Sequence, residues 1–191
     1  SNPTTTQIKS FIQNLYDTAT DKPDYLLLVG DVNFIPWFNM SGSMSDVPYY
    51  LLEGNDILPD ISGGRISVRT AAEANIVFSK LIRYEREPYL TDPAWLQSAL
   101  IINSYDYQDP TAGFWTKAQF QNYGYNPIYH LGDNLGNVTI GNVNNAVNSG
   151  VNYIYYIGHG SATAWGTTGY STSNIPLLTN GEKQPVISSV A

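Results

Sequence analysis

Short apolar runs alternate with helix-spaced segments along the chain, and this alternation constrains the fold more than any other feature. Apolar runs too short for helices, bounded by glycine or polar residues, predict buried strands at 25–29 and 99–104 and further strands at 127–131, 151–157 and 185–190. Apolar residues at helix spacing predict helices at 8–15, 70–88, 114–123 and 138–147. Strands that alternate with helices form a mainly parallel sheet covered on both faces, so the sequence predicts an α/β fold.

The 191 residues fit one globular domain with a sizeable core. We divide this domain into a first helix and strand at 1–30, a long acidic loop at 31–65 and the main α/β portion at 66–191. The loop is rich in Gly, Pro, Asp, Asn and Ser and has little periodicity. Because irregular loops of this length are usually functional, it is a candidate binding segment.

Composition excludes several classes of function. The 16 acidic and 9 basic residues give a net charge of -7 without a Lys/Arg cluster, which argues against a nucleic-acid partner. No run approaches the roughly 18 apolar residues that span a bilayer. The chain has no cysteine, which excludes disulfides, zinc-thiolate sites and a thiol nucleophile within these residues. Its 15 Tyr and 4 Trp, with many Asn, Thr and Gly, are typical of exported bacterial proteins.

A histidine between two glycines follows one predicted strand. In parallel α/β proteins catalytic groups gather at the carboxyl ends of the strands, and His159 comes directly after the strand that ends at Ile157. Such a histidine can take a proton from a nucleophile near neutral pH, and the Gly160 N–H can donate to a developing oxyanion. Spacing alone equally allows a histidine that only hydrogen-bonds within a tight turn. Ser161 is better interpreted as a turn hydroxyl than as a nucleophile.

The residues around His159 resemble a known family. Residues 156–161 (YIGHGS) and 164–167 (AWGT) are similar to the catalytic-histidine block of gingipains and related cysteine peptidases. The resemblance continues through 178–180 and 184–191, and upstream it includes 27–31, 64–65 and 82–86, so that it covers nearly the whole chain. Residues 184–191 look like the strand that in gingipains ends in Ala-Cys, where the cysteine is the nucleophile.

The resemblance implies a caspase-like three-layer α/β/α sandwich that hydrolyses peptide bonds through a Cys-His dyad. It implies that His159 is the base or ion-pair partner of a thiolate, that the Gly160 N–H serves the oxyanion hole and that Asp106 orients the imidazole. A solvated loop aspartate is the alternative for Asp106. The nucleophile would be a cysteine directly after Ala191, so the chain is interpreted as a truncated catalytic domain that is inactive alone. Asp109 is a weak candidate for substrate recognition.

The resemblance also implies a structural Ca²⁺ site in the long loop. In register, the side chains of Asp31, Asp56 and Asp60 and the backbone carbonyls of Glu53 and Leu58 would be its ligands. Ca²⁺ takes six to eight oxygens from flexible loops, but a solvated acidic loop is the alternative.

The expected partners are a peptide or protein substrate and the C-terminal remainder of the same catalytic domain. The resemblance and the composition together predict a secreted or cell-surface protein of bacterial origin. A different class of function remains open: a non-catalytic, calcium-stabilised binding module on a peptidase-like scaffold, since a fold does not prove a chemistry. His130, on an apolar strand, is interpreted as a packed histidine rather than a ligand.

Overall fold

A computed structural model describes residues 2–191 of the chain. The chain divides into two units, residues 1–79 and residues 80–191. The boundary falls inside a helix. No helix within the described residues is long and apolar enough to cross a membrane.

The first unit begins with a helix and contains two small sheets. Its elements are α1 (Thr5–Thr18), β1 (Tyr25–Val29), β2 (Phe38–Met40), β3 (Ser43–Ser45), a 3-10 turn at Val47–Tyr49, β4 (Ser62–Ile66) and the first part of α2 (Ala71–Arg86). Helix α1 starts at a capping box, in which the Thr4 hydroxyl accepts the Gln7 N–H at 3.2 Å and the Gln7 side chain accepts the Thr4 N–H at 2.8 Å. The predicted first helix and strand are confirmed.

The segment 31–65 is more regular than the sequence predicts. Strands β2 and β3 form an antiparallel hairpin, and β4 pairs in parallel with β1. Strand β4 was not predicted, because its sequence Ser-Gly-Gly-Arg-Ile has no apolar run. A Cβ on Gly63 would lie 2.0 Å from the Tyr50 ring, so glycine makes room for that ring. The prediction that β1 is a buried strand is wrong in this structure, because Leu28 is buried while Tyr25 is 79% exposed.

The core of the first unit lies between α1 and the strand pair. Its buried residues are Ile12, Tyr16, Leu28, Tyr49, Tyr50, Leu52 and Ile61. Beside this core, the Arg65 guanidinium binds Asp46 through two hydrogen bonds of 2.7 and 2.6 Å and also donates to the Gly30 carbonyl at 2.8 Å. A two-pronged pair of this kind fixes both side chains and the loop that carries Asp46.

The second unit is built on a four-stranded parallel sheet. Its elements are β5 (Ala99–Asn103), α3 (Asp109–Asn122), β6 (Ile128–Gly132), α4 (Ile140–Asn148), β7 (Tyr153–Ile157), β8 (Ala164–Trp165), β9 (Tyr170–Ser171) and β10 (Val186–Val190). The strand order is β10-β7-β5-β6, and every pairing within this sheet is parallel. All four predicted strands of this unit are confirmed. Helix α3 begins at Asp109, five residues before the predicted start at Phe114, and the antiparallel β8–β9 hairpin was not predicted.

Helices cover both faces of this sheet. On one face, Leu100, Ile102 and Tyr156 pack with Val143 and Val147 of α4. The opposite face carries the alternate residues of the strands, and α3 lies against it: the Phe114 ring meets the His130 ring edge-on at a centroid distance of 4.8 Å. Helix, parallel sheet and helix therefore form the three layers that were predicted.

Candidate active site

The carboxyl ends of three neighbouring strands meet at one edge of the sheet. Asn103, Ile157 and Val190 are the last residues of β5, β7 and β10, and they are paired in register. The pairing continues for one more residue, because the Ser104 N–H donates to the Ile157 carbonyl at 3.0 Å and the Gly158 N–H donates to the Val190 carbonyl at 3.1 Å. Strand β7, which leads to His159, therefore lies between the strand that leads to Asp106 and the strand that leads to Ala191.

His159 and Asp106 lie within ion-pair distance across these strand ends. The Nε2 atom of His159 is 3.5 Å from Oδ2 of Asp106, and the two side chains are 90% and 40% exposed. This separation is longer than a good hydrogen bond and suits an attraction between a protonated imidazole and a carboxylate. Because Asp106 approaches Nε2, the Nδ1 atom is the one left to exchange a proton with another group. The structure brings together the two side chains that were predicted as catalytic.

A buried tyrosine holds the main chain of His159 through a hydrogen bond. Tyr156 is fully buried, and its hydroxyl donates to the His159 carbonyl at 2.5 Å and accepts the Thr167 N–H at 3.2 Å. The Gly166 N–H donates to the same His159 carbonyl at 2.7 Å. The Tyr156 ring stacks on Trp165 at a centroid distance of 4.7 Å. The loop is fixed at its backbone, while the imidazole itself is exposed.

The Gly160 N–H points away from the hairpin that follows it. Gly160 pairs with Trp165 in an isolated antiparallel bridge. The flanking hydrogen bonds run from the Ser161 N–H to the Ala164 carbonyl and from the Gly166 N–H to the His159 carbonyl. These bonds enclose a non-hydrogen-bonded pair, so the N–H of Gly160 faces outward. A Cβ on Gly160 would lie 2.9 Å from the Ala191 Cβ, so Gly160 lies beside the residue that follows β10.

The turn that carries Asp106 is closed by a serine. The Ser104 hydroxyl accepts the Asp106 N–H at 3.0 Å and donates to Oδ2 of Asp109 at 2.5 Å. Asp109, the candidate for substrate recognition, therefore has one oxygen engaged with Ser104 at the start of α3. Sequence reasoning missed Ser104 and Tyr156. The only available signal was their position at the ends of strands that were already predicted.

Two further ionisable groups lie near this edge on β6 and just after it. Burial raises the pKa of Asp133, and the negative charge of Asp106 adds to that rise. Burial lowers the pKa of His130, and the Lys117 ammonium lowers it further. The His130 Nε2 atom lies 2.7 Å from Oδ1 of the buried Asn103, in agreement with the prediction that this histidine is packed.

The carboxylates predicted to bind Ca²⁺ are engaged with protein donors. Asp31 binds the Arg69 guanidinium at 2.6 Å, and the hydrogen bond from Arg69 is the main cause of the lowered pKa of Asp31. One oxygen of Asp60 accepts the N–H groups of Leu52 and Glu53 at 2.5 and 2.8 Å.

Asp56 makes fewer hydrogen bonds than Asp31 and Asp60. Among the residues described, its side chain accepts only the N–H of Leu58, at 2.9 Å. The Glu53 side chain is bound by Lys22 and by the Tyr16 hydroxyl. Within residues 2–191 no three acidic, histidine or cysteine side chains form a cluster that could hold a metal ion. The predicted acidic ligands are therefore bound to protein donors in this arrangement, and calcium binding stays a prediction.

The fold matches solved structures of cysteine proteinases. The crystal structure of the Arg specific cysteine proteinase gingipain R (RGPB) superposes with a TM-score of 0.90 and 32% identity, over 98% of this chain and 45% of the solved one. The complex of the Porphyromonas gingivalis RgpB pro- and mature domains superposes with a TM-score of 0.88 and 32% identity, over 96% of this chain and 45% of the solved one. The fold and the site thus define a domain of the cysteine peptidase class.

Sequence comparison narrows the class to a family. The family model described as peptidase family C25 matches residues 1–191, and the chain belongs to this family. Gingipain R2 of Porphyromonas gingivalis is 33% identical over 98% of this chain and 26% of its own length. Lys-gingipain of the same bacterium is 28% identical over 94% of this chain and 11% of its own length. The chain therefore spans about a quarter or less of these relatives and less than half of the solved chains. The gingipain resemblance and the α/β fold class are both confirmed.

Proposed function

We propose that this chain supplies the base, the orienting carboxylate and one oxyanion donor of a cysteine endopeptidase. The nucleophile in this proposal is a cysteine that directly follows Ala191 in the whole protein. His159 is the base, Asp106 orients its imidazole, and the Gly160 N–H stabilises the oxyanion. The observation that carries the proposal is the strand order, in which His159 lies between Asp106 on one side and Ala191 on the other.

The chemistry follows from this arrangement. The thiol proton passes to Nδ1 of His159, and the thiolate attacks the carbonyl carbon of the scissile peptide bond. The negative charge that develops on the carbonyl oxygen is stabilised by the outward N–H of Gly160. The imidazolium then protonates the leaving amine as the C–N bond breaks and a thioester forms. Water, deprotonated by the neutral imidazole, hydrolyses the thioester and restores the thiol.

Asp106 contributes by holding the imidazole in one orientation and by stabilising its protonated form. A carboxylate at Nε2 favours the tautomer whose Nδ1 is free to accept the thiol proton. At 3.5 Å the pair is close enough for a charge interaction once His159 is protonated. This role makes Asp106 less critical than His159, because it acts only through the imidazole.

The test uses the whole protein and a fluorescent casein as a general substrate. His159→Ala should lower kcat/KM by about 10²- to 10⁴-fold, the contribution of a general base. Asp106→Asn should lower it by a smaller factor. Ser161→Ala is the matched control, since its hydroxyl serves a turn next to His159 and should leave most of the activity. Iodoacetamide should inactivate the enzyme and label the cysteine after Ala191.

Two results would overturn the proposal. One is a reading frame that continues after Ala191 with another residue. The other is an active His159→Ala variant. A protein that never cleaves casein or a peptide library, although it is folded, would favour the binding module instead.

We also propose that the protein acts outside the bacterial cell or on its surface. The aromatic and polar composition and the bacterial relatives support this location. Fractionation of the source cells tests it with an antibody against this chain: the antigen should be found in the medium or on intact cells, and antigen confined to the cytoplasm would exclude the proposal.

A further inference from the structure

The turn from Ser104 to Asp109 is tied to the strand that leads to His159. The Ser104 N–H donates to the Ile157 carbonyl, two residues before His159. From this anchored residue, the hydroxyl accepts the Asp106 N–H and donates to the Asp109 carboxylate at 2.5 Å. The Asp109 N–H closes the turn by donating to the Asp106 carbonyl at 2.9 Å. Both the N–H and the C=O of Asp106 are therefore fixed.

The turn contains a backbone conformation that hydrogen bonds must maintain. Tyr107 has a φ of 40°, in the left-handed region that a bulky side chain rarely adopts. Its side chain is fully exposed, so no packing holds it there. Backbone in such a conformation persists where its surroundings fix it, and this often occurs at functional sites. Here the surrounding constraints are the hydrogen bonds through Ser104 and Asp109.

We propose that Ser104 and Asp109 are positioning residues that hold the Asp106 carboxylate against His159. This proposal rests on the proposed function and assigns Asp109 to the internal order of the site rather than to substrate recognition. Ser104 is 4% exposed and cannot contact a substrate. One carboxylate oxygen of Asp109 accepts a hydrogen bond from the Ser104 hydroxyl, and this bond orients the hydroxyl so that its lone pair faces the Asp106 N–H. The two residues act on the reaction only through Asp106.

The first experiment measures kcat and KM of the whole enzyme on casein and on peptides with Arg, Lys or an apolar residue before the cleaved bond. Ser104→Ala removes both hydroxyl contacts, and we expect kcat to fall by about 10-fold or more, because a misplacement of about 1 Å can cost about 10². KM should change little, since Ser104 is buried and does not meet the substrate. An unchanged kcat in a folded Ser104→Ala variant would overturn the proposal.

The second experiment distinguishes positioning from recognition at Asp109. Asp109→Ala loses the acceptor for the Ser104 hydroxyl, whereas Asp109→Asn keeps an acceptor oxygen and removes the charge. A positioning role predicts that Asn restores most of the kcat lost in Ala, with all peptides. A recognition role predicts that Asn fails like Ala and that KM rises for peptides with Arg or Lys alone. This second result would overturn the proposal. The Asp109→Ala and Asp109→Asn variants keep the proposal testable if Ser104→Ala does not fold.

The third experiment asks whether Ser104 acts through Asp106. If it does, Ser104→Ala should have no further effect on kcat once Asp106→Asn is present, because coupled residues are non-additive. Independent losses that multiply in the double variant would show that Ser104 acts elsewhere and would refute the positioning role. Loss of the proposed function itself is recognised separately, by a His159→Ala variant that remains active.

Discussion

Removal of the Tyr156 hydroxyl is the perturbation whose cost follows most directly from the structure. In Tyr156→Phe the ring, and with it the stacking on Trp165 at 4.7 Å, is retained. The His159 carbonyl keeps one donor, the Gly166 N–H at 2.7 Å, after losing the hydroxyl. The Thr167 N–H, by contrast, loses the acceptor that it has at 3.2 Å. The variant therefore leaves the Thr167 N–H without its acceptor, and the Thr167 hydroxyl loses its contact with the Tyr156 hydroxyl at 3.0 Å.

The magnitude follows from these contacts. A net hydrogen bond contributes about 1 kcal/mol, and a buried donor left without a partner costs about 1–3 kcal/mol. Relaxation of the loop around the Thr167 N–H recovers part of this cost, so we expect about 2 kcal/mol of destabilisation. Because the same hydroxyl fixes the His159 backbone, kcat should fall as well.

Urea denaturation and casein hydrolysis of the whole protein measure the two effects. Tyr155→Phe is the matched control: the neighbouring tyrosine on β7 points to the other face of the sheet, and its hydroxyl makes no hydrogen bond within residues 2–191. We expect this control to stay within about 0.5 kcal/mol of the natural protein. If both variants unfold alike, the argument that Tyr156 supports the His159 loop is wrong.

Two other perturbations give clear expectations. Burial lowers the pKa of His130, so the folded state favours the neutral imidazole. The stability that this preference contributes is complete above the unfolded pKa of about 6.5. It is lost as the pH falls from that value toward the lowered pKa of the folded state. The free energy of unfolding should therefore decrease on acidification, and His130→Gln should reduce this dependence. An equal pH slope in the natural protein and in His130→Gln would contradict the assignment. If the long loop binds Ca²⁺, millimolar CaCl₂ should raise Tm, EDTA should reverse the rise, and Asp56→Asn should abolish it, since the Asp56 side chain caps only its own turn at Leu58. The absence of any calcium-dependent shift would remove the calcium prediction.

The regular elements could be predicted from the sequence wherever burial is complete. Strand β5 is buried at every residue and has four apolar residues in a row before Asn103, and β7 alternates buried and half-buried residues. Strand β4 could not be predicted, because two of its five residues are glycines and its pairing with β1 depends on backbone hydrogen bonds. The hairpin of β8 and β9 has two residues in each strand, too few for any periodicity.

The residues of the candidate site also include some that the sequence could identify and some that it could not. His159 could be singled out because glycines flank it at a strand end, and Asp106 because the resemblance aligns it with an acidic partner. Ser104 and Tyr156 could not be found, since their roles depend on hydrogen bonds to residues whose relative positions only the folded turns define. Local sequence identifies groups that react, whereas the groups that hold them are identified by contacts.

The two glycines around His159 show how neighbouring strands shape the site. A Cβ on Gly158 would lie 3.1 Å from the Ser104 Cβ and 2.5 Å from the Thr167 hydroxyl, and its φ of 154° is itself unfavourable for a side chain. A Cβ on Gly160 would instead meet Ala191 on the opposite side. At both positions, the absence of a side chain lets the end of an adjacent strand approach. The Gly-His-Gly sequence is thus a packing requirement of a histidine that must lie between two strands, with Asp106 at the end of one and Ala191 at the end of the other.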